Sequence, residues 1–341
     1  MLPFLLRRTL STLPVLLLAA LLAFALTRLL PGDPAAVLAA GMAQAGPEDL
    51  ARLRAGLGLD RPLPAQFAGY LAGLARGDWG RSFTTGQPVA ADLAARAPAS
   101  LELACAAFGL AAAAALPLGI AAALRPGRAV DHACRALCVA GGCLPAFVTG
   151  LALIAWLYLG WGWAPEPIGR IDPLLAPPPA RTGFLLLDAA LAGDGAAWRS
   201  AAAHLLLPAL ALALSALAPL ARTVRAAMRA VLGSDAIRTA RALGLPWRTV
   251  VLGRALRLAM PPVATVMGLV LAALLGASVA VEKLFAWPGI GSYALDALMA
   301  ADHAPVQGFV LLAAALFAGI HLAVDLLCLA LDPRLAEDGR A

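Results

Sequence analysis

Long apolar runs dominate the pattern of hydrophobic and polar positions along this chain. Six runs are long enough to cross about 30 Å of hydrocarbon at about 1.5 Å per residue. They are rich in Ala, Leu and Gly, a composition that lets helices approach closely in a bilayer. The pattern predicts an all-α integral membrane protein with six transmembrane helices packed as a bundle. The predicted spans lie near residues 10–30, 101–124, 136–160, 202–221, 262–281 and 308–331.

The first run has an alternative interpretation as a secretory signal sequence, because Arg7 and Arg8 precede it. However, the uncharged stretch 9–27 has 19 residues, which is longer than a usual signal core. No clean cleavage site of small residues follows it. We therefore expect this run to be retained as a membrane span.

The overall composition supports a membrane protein. Apolar residues make up 62% of the 341 residues and charged residues only 13%, with a mean hydropathy of +0.83. Soluble domains carry about 25% charged residues, so this chain cannot build the surface of a soluble enzyme.

The few charges predict an orientation. With a cytoplasmic N-terminus, 15 of the 26 lysines and arginines fall on the cytoplasmic side, eight of them between residues 222 and 257. This asymmetry follows the positive-inside rule. It predicts that both termini are cytoplasmic, and it explains the pI of about 9.5 as a topology signal without nucleic-acid binding.

No catalytic or metal site is predicted within the chain. The five cysteines lie in or beside predicted spans, and the four histidines lack any ligand spacing. The only lysine is Lys283, and Leu284 follows it, so the chain has no phosphate-binding loop of the ATPase type. We expect no cofactor in this chain.

The outer loops predict short helices. In the first loop, 31–100, one helix begins at Pro47 and a second runs from Pro64 to Arg76; an external contact role and a packing role both remain open. The second outer loop, 161–200, is rich in Pro and Gly and predicts irregular structure. The third, 282–307, predicts a helix at 292–299 near the mouth of a pathway.

The cytoplasmic segment 222–262 carries the most specific pattern. Arg222, Arg225 and Arg229 mark one face of a helix that continues out of the fourth span. Gly233 ends this helix, Ser234 or Asp235 caps a new one at 236–243, Gly244 ends that, and Pro246 opens a third. Such a short, basic helix fits docking to a partner protein and contact with anionic lipid equally well.

At these residues the chain resembles a known family. The run 235–244, Asp-Ala-Ile-Arg-Thr-Ala-Arg-Ala-Leu-Gly, followed by Arg-Ala-Leu-Arg at 254–257, is similar to the cytoplasmic signature of ABC importer permeases of the dipeptide, oligopeptide and nickel subfamily. Further fragments match this subfamily in order along almost the whole chain. They lie at 5–8 with 29–34, 77–83 with 86–89, 281–291, 305–308, and 325 with 331–334.

The resemblance implies a type I ABC importer permease, one of two homologous membrane subunits in the cell (inner) membrane. Its partners would be a second permease, two ATP-binding cassette subunits that hold ATP and Mg, and an extracytoplasmic solute-binding protein. The substrate implied is a di- or oligopeptide, with nickel or another small solute as the alternative. The ATPase-coupling helix would comprise Asp235, Arg238, Thr239, Ala240, Arg241 and Gly244.

The chain departs from the general importer pattern at two points of this loop. It has Arg238-Thr239-Ala240 where many importers have Glu-Ala-Ala, and Leu256-Arg257 where they have Leu-Pro. Both departures are similar to variants of the peptide-importer subfamily.

Polar residues near the predicted pathway are candidates for lining it. Asp325 is the strongest of these candidates because it lies inside the sixth span, where a charged side chain is costly. A structural hydrogen bond of Asp325 to a neighbouring helix is the favoured alternative to contact with the substrate. A secondary transporter would be expected to carry more buried ionisable groups and an internal repeat, and a membrane-embedded hydrolase would need a Ser/His or metal cluster. The pathway candidates are Glu282, Asp302, Gln307 and Asp325.

These patterns divide the chain into four predicted parts. They are an N-terminal transmembrane helix at 1–30, an extracytoplasmic loop at 31–100, a five-helix permease core at 101–335 with its coupling loop at 222–261, and a cytoplasmic tail at 336–341.

Overall fold

The computed structural model describes residues 2–29, 35–36, 39, 46–56 and 58–331, and these residues fold predominantly as helices. Within those ranges the β contact is an isolated antiparallel bridge between Arg81 and Pro88. The predicted all-α class is confirmed. In chain order the helices are α1 (Leu2–Leu29), α2 (Pro47–Gly56), α3 (Leu63–Ala75), α4 (Val89–Leu124), α5 (Ala129–Cys143), α6 (Ala146–Leu153), α7 (Leu185–Ala192), α8 (Gly195–Leu232), α9 (Asp235–Ala242), α10 (Leu256–Leu284), α11 (Ile290–Met299) and α12 (His303–Leu331).

Two π-helical segments extend these helices. Ile154–Gly160 continues α6, and Thr249–Ala255 leads into α10. Five helical stretches of the described chain are long and apolar enough to cross a membrane: residues 10–28, 89–124, 195–232, 249–284 and 303–330.

The third predicted span, 136–160, is not one continuous helix. Helices α5 and α6 meet at an angle of 101°, so a sixth crossing requires both of them together. The break lies at Leu144, whose backbone is extended (φ −96°, ψ 123°) because Pro145 follows it and excludes the helical conformation.

Several helices are longer than their predicted spans. Helix α4 begins at Val89, twelve positions before the predicted start at 101, and α8 continues to Leu232, which confirms the predicted continuation of the fourth span up to Gly233. The predicted limits mark only the apolar stretch that fits the hydrocarbon. Helical hydrogen bonding continues into the polar turns on either side, and hydropathy does not register those turns.

The core of the bundle depends on small side chains where α4 packs against α8. Ala107, Ala111 and Ala115 of α4 are at most 1% exposed and lie in one cluster with apolar residues of α8. A Cβ added at Gly119 would lie 2.7 Å from the Cβ of Val224. The close approach of helices expected from the Ala and Gly content is therefore present where α4 packs against α8.

The outer loops contain the predicted helices and one that was not predicted. Helix α2 begins at Pro47 as expected, α3 is displaced by one residue, and α11 starts two residues earlier than predicted. The prediction of irregular structure for 161–200 is wrong at Leu185–Ala192, which forms α7. The Asp188 carboxylate stabilises this helix by accepting hydrogen bonds from N–H groups of the preceding turn, at Thr182 (2.8 Å) and Gly183 (3.0 Å).

Some sequence predictions lie outside the described residues. They concern the side chains at positions 7 and 8, residues 30–34, and the tail from 332 to 341. The predicted boundaries at 30, 100 and 335 likewise stay predictions.

Candidate coupling surface and polar sites

The segment between α8 and α10 is a short helix bounded by two glycines. Helix α8 ends with Gly233 in the C-cap position, and α9 follows at Asp235–Ala242. Gly244 then has φ +75°, a left-handed conformation that other residues rarely adopt. The helix predicted at 236–243 is confirmed with a shift of one residue.

Ser234 occupies the N-cap position of α9 with an extended backbone, as the sequence allowed. Its hydroxyl does not cap the helix. It donates instead to the carbonyl oxygen of Val231 at 2.6 Å. Asp235 supplies the negative charge in the first turn, where the helix dipole favours it.

One face of α9 is buried against the rest of the chain. Ile237 and Ala240, three positions apart and so on the same face, are 1% and 8% exposed. They belong to an apolar cluster with Met228 of α8 and Val250 of the π-helical segment. Ala240, which the resemblance places in the coupling helix, therefore anchors that helix to its own chain and does not face outward.

The opposite face of α9 is exposed and basic. Arg238, Thr239 and Arg241 are exposed, and Arg238 forms an ion pair of 3.0 Å with Asp235. Both partners of this pair are largely in solvent, where such pairs contribute about 0–1 kcal/mol. These side chains are consequently free to exchange their contacts for those of a partner.

Two apolar side chains that sequence reasoning missed extend this exposed face. Leu243 is 74% exposed, and Trp247 is 49% exposed with the Arg241 guanidinium 5.4 Å from its ring centroid. Large apolar side chains beside basic ones at a helix turn are typical of protein contact sites. The sequence could have indicated their exposure, because they lie next to Gly244 and Pro246 and outside every apolar run.

A buried carboxylate connects the end of α8 that leads into this segment to the loop between α4 and α5. Asp131, at the start of α5, is 1% exposed and accepts a 2.5 Å hydrogen bond from Nε of Arg225 on α8. It also accepts bonds from Arg135 at 3.0 Å and from the N–H of Gly127 at 2.9 Å. The predicted arginine face of α8 is thus partly engaged within the chain through Arg225.

Glu282, the first pathway candidate, is fully buried and bonded within the chain. Its carboxylate accepts hydrogen bonds from the hydroxyls of Ser100 at 2.7 Å and Ser278 at 2.9 Å. It also accepts one from the N–H of Ser292 at 2.9 Å. Glu282 thereby connects α4, α10 and α11, a structural role that the sequence alone did not predict.

Asp302, the second candidate, is also fully buried. One of its oxygens accepts bonds from the hydroxyl of Ser82 at 2.7 Å and from the N–H and hydroxyl of Thr84 at 3.2 and 3.1 Å. It holds the end of the first outer loop against the start of α12. Neither acidic candidate described so far presents an exposed carboxylate.

The remaining two candidates lie on α12 and are partly exposed. Gln307 donates a hydrogen bond of 2.8 Å to the hydroxyl of Thr27 on α1, while Asp325 lies near the other end of the helix. Glu282, Asp302 and Gln307 each bond to a different set of neighbours. The structure therefore does not gather these three candidates into one polar site.

Comparison with known proteins gives a match over nearly the whole chain. The family described as binding-protein-dependent transport system inner membrane component matches residues 115–337, and its N-terminal companion family matches residues 1–104. The chain is 43% identical over 316 residues to a probable D,D-dipeptide transport system permease protein of Escherichia coli, covering 93% of this chain and 92% of that protein.

Two further relatives have similar coverage. The chain is 39% identical over 337 residues to a dipeptide transport system permease protein of Escherichia coli, and 40% identical over 335 residues to a di/tripeptide transport system permease protein of Pseudomonas aeruginosa. Each alignment covers 98% of this chain and 99% of the relative. The resemblance is confirmed, and the chain belongs to the family of inner-membrane components of binding-protein-dependent transport systems.

Proposed function

We propose that this chain is the permease subunit of an ATP-driven importer for di- and oligopeptides. The relatives at 39–43% identity are named for dipeptides and for di- and tripeptides. Permeases at 36% identity, in Salmonella typhi among others, are named for glutathione. The sequence left nickel and other small solutes open as substrates, and comparing the uptake of nickel with that of a dipeptide would distinguish them.

The observation that carries the coupling role is the two-faced structure of α9. Ile237 and Ala240 attach the helix to α8 and to the segment before α10, while Arg238, Arg241 and Trp247 remain exposed. A helix fixed in this way can receive a force without melting. Because the chain has no phosphate-binding loop, ATP and Mg would be bound by separate ATPase subunits.

The proposed mechanism transmits ATPase movement through these attachments. Closure of two ATPase subunits would shift α9, and its buried face would carry α8 and α10 along. The bond between Arg225 and Asp131 would pass the shift to the loop between α4 and α5. The bundle would then alternate between two packings, one open to each side of the membrane.

The translocation pathway would lie between this chain and a homologous second permease, supplied by an extracytoplasmic solute-binding protein. Gln307 and Asp325, which are partly exposed, fit a lining role better than Glu282 and Asp302, which are fully buried. The positive-inside charge distribution supports a cytoplasmic location of α9 and of both termini.

The coupling role is tested by co-purification with the ATPase subunits. We expect the double variant Arg238→Glu/Arg241→Glu to reduce the co-purified ATPase at least tenfold. Arg199→Glu, at the opposite end of α8 and also exposed, is the matched control and should retain it. An unchanged complex with unchanged ATPase stimulation would overturn the docking assignment.

The substrate class requires reconstituted complex with its solute-binding protein in vesicles. We expect ATP-dependent uptake of a radiolabelled dipeptide and no uptake of nickel ions. Uptake of nickel instead would assign the alternative substrate. Uptake by this chain alone without ATP would identify a secondary transporter and exclude the importer.

A further inference from the structure

A polar cavity of about 280 Å³ lies where the end of α1 meets α3 and the start of α12. Arg28 from α1, Gln66 and Tyr70 from α3, and Gln307 from α12 line it, and it opens to the surface. Since a water molecule occupies about 30 Å³ in the liquid, the cavity has room for several waters or for a small polar group. It lies apart from the α9 surface.

Three polar atoms around this cavity are buried without a hydrogen-bond partner. They are Nε of Arg28, Oε1 of Gln66 and the hydroxyl of Tyr70. The amide nitrogen of Gln66 is already used, because it donates to the carbonyl oxygens of Leu59 at 3.2 Å and Arg61 at 2.7 Å. Buried polar atoms are nearly always paired, so this concentration of unpaired ones indicates a missing ligand.

The charge and donors of the cavity select an anion. Arg28 carries a guanidinium that lies 5.2 Å from the ring centroid of Phe24, and none of the described residues lining the cavity is acidic. Arg61 adds a second positive charge at the rim. Burial raises the pKa of Tyr70 to about 12, so its hydroxyl stays protonated and able to donate. Guanidinium and hydroxyl donors together suit a phosphate or a carboxylate.

The position of the cavity distinguishes between these anions. Leu21, Leu22 and Leu26 of α1 are 46%, 58% and 51% exposed, and this apolar surface leads along the membrane span toward Arg28 in the last turn. A basic residue at the end of a membrane-spanning helix lies at the level of the lipid headgroups. The anion that is abundant at this level is the phosphate of a phospholipid.

We propose that this cavity binds the headgroup phosphate of an anionic phospholipid, phosphatidylglycerol. The phosphate would accept hydrogen bonds from Arg28 and Tyr70, and the glycerol hydroxyls would donate to Oε1 of Gln66. Phosphatidylethanolamine fits less well, because the described lining offers no carboxylate for its ammonium group. A bound lipid would fix the first outer loop to α1 and α12.

Native mass spectrometry of the purified importer complex tests this site. The complex is extracted from vesicles containing equal amounts of phosphatidylglycerol and phosphatidylethanolamine, and the retained lipids are counted. We expect the complex to retain phosphatidylglycerol selectively, and Arg28→Gln to reduce this retention at least threefold. Arg76→Gln changes an exposed arginine at the end of α3 in the same loop, and should leave the retention unchanged.

A second variant and a second probe keep the test decisive if Arg28→Gln fails to assemble. Tyr70→Phe removes only the hydroxyl, and we expect it to weaken the thermal stabilisation of the complex by dioctanoyl phosphatidylglycerol at least threefold. Equal retention by the wild-type and variant complexes, or equal retention of both lipids, would overturn the proposal. Displacement of the lipid by a free dipeptide, but not by the same dipeptide amidated at its C-terminus, would assign the cavity to a carboxylate and overturn it as well.

Discussion

Nε of Arg225 lies 2.5 Å from Oδ1 of Asp131, and this bond joins two segments that are separated by 94 positions in the chain. Asp131 is 1% exposed and the Arg225 side chain 18%. The pair stands between α8, which leads to the proposed coupling helix, and the loop from α4 to α5. In the proposed mechanism, this bond passes movement of α9 to the loop between α4 and α5.

Replacing Asp131 by Asn is expected to lower the thermal midpoint of the purified complex by several degrees and to weaken coupling of ATP hydrolysis to transport. The change leaves the mostly buried guanidinium of Arg225 without its counter-charge, which is more costly than losing the whole pair. Melting curves and the ratio of ATP hydrolysed to peptide transported would measure both effects.

Two further variants separate the charge effect from a general loss of packing. Asp131→Leu combined with Arg225→Met removes both charges and should be more stable than Asp131→Asn alone. Asp296→Asn breaks the exposed ion pair with Lys283 and should have little effect, since both partners are more than half exposed. Equal destabilisation by all three variants would contradict the assigned role of the pair.

Gly268 permits the close packing of α10 on α12, and we expect Gly268→Ala to destabilise the protein. The added Cβ would lie 2.2 Å from Cγ2 of Val324, so the helices would have to separate. Overpacking of this kind costs about 1–3 kcal/mol. Gly276→Ala on the same helix meets no atom within 4 Å and should be neutral or stabilising, because Ala is the better helix former. Thermal melting of the two variants checks the contrast, and Val324→Ala should rescue Gly268→Ala.

Glu282→Ala is expected to impair folding more than transport. It leaves the hydroxyl of Ser100 and the N–H of Ser292 without their buried acceptor, at about 1–3 kcal/mol for each unsatisfied group, whereas the Ser278 hydroxyl can still donate to the carbonyl oxygen of Leu275. The amount of folded protein, measured by fluorescence-detected size exclusion, should fall sharply. Glu166→Gln, at an exposed carboxylate, should leave it unchanged. If Glu282→Ala folds normally but loses transport, Glu282 lines the pathway after all.

The outer turn before α7 should lose stability in acid. Burial would raise the pKa of Asp188, but hydrogen bonds from Thr182 and Gly183 outweigh it and hold the pKa below its ordinary value. A carboxylate with a lowered pKa stabilises the fold at neutral pH, and this contribution disappears as the pH falls through the folded-state pKa. The thermal midpoint of Asp188→Asn should therefore depend less on pH than that of the wild type, from neutrality to about pH 3. If the thermal midpoints of the two proteins fall by the same amount as the pH is lowered, this prediction is wrong.

Local patterns predicted the secondary structure of this chain well where the signal lies within one element. Gly233 and Gly244 lie at the two ends of α9, as predicted, because their conformational effect depends on their immediate neighbours, and Pro47 begins α2 for the same reason. The bend at Leu144 was also encoded locally by Pro145, but a continuous apolar run obscured it. Hydropathy averages over such a break, so the sequence predicted the helix content better than the number of continuous membrane-spanning helices.

By itself, the sequence determined the all-α membrane class, the family resemblance and the place of the short helix α9, since composition and short motifs carry them. Only the tertiary structure decided which polar groups are used inside the chain. Asp131 is hydrogen-bonded to Arg225, and Glu282 is hydrogen-bonded to Ser100. Arg28 and Tyr70 line the same cavity. The two residues of each pair are far apart in the sequence. Hydrogen bonds and burial depend on how distant helices pack, and residue types in one dimension do not specify that packing.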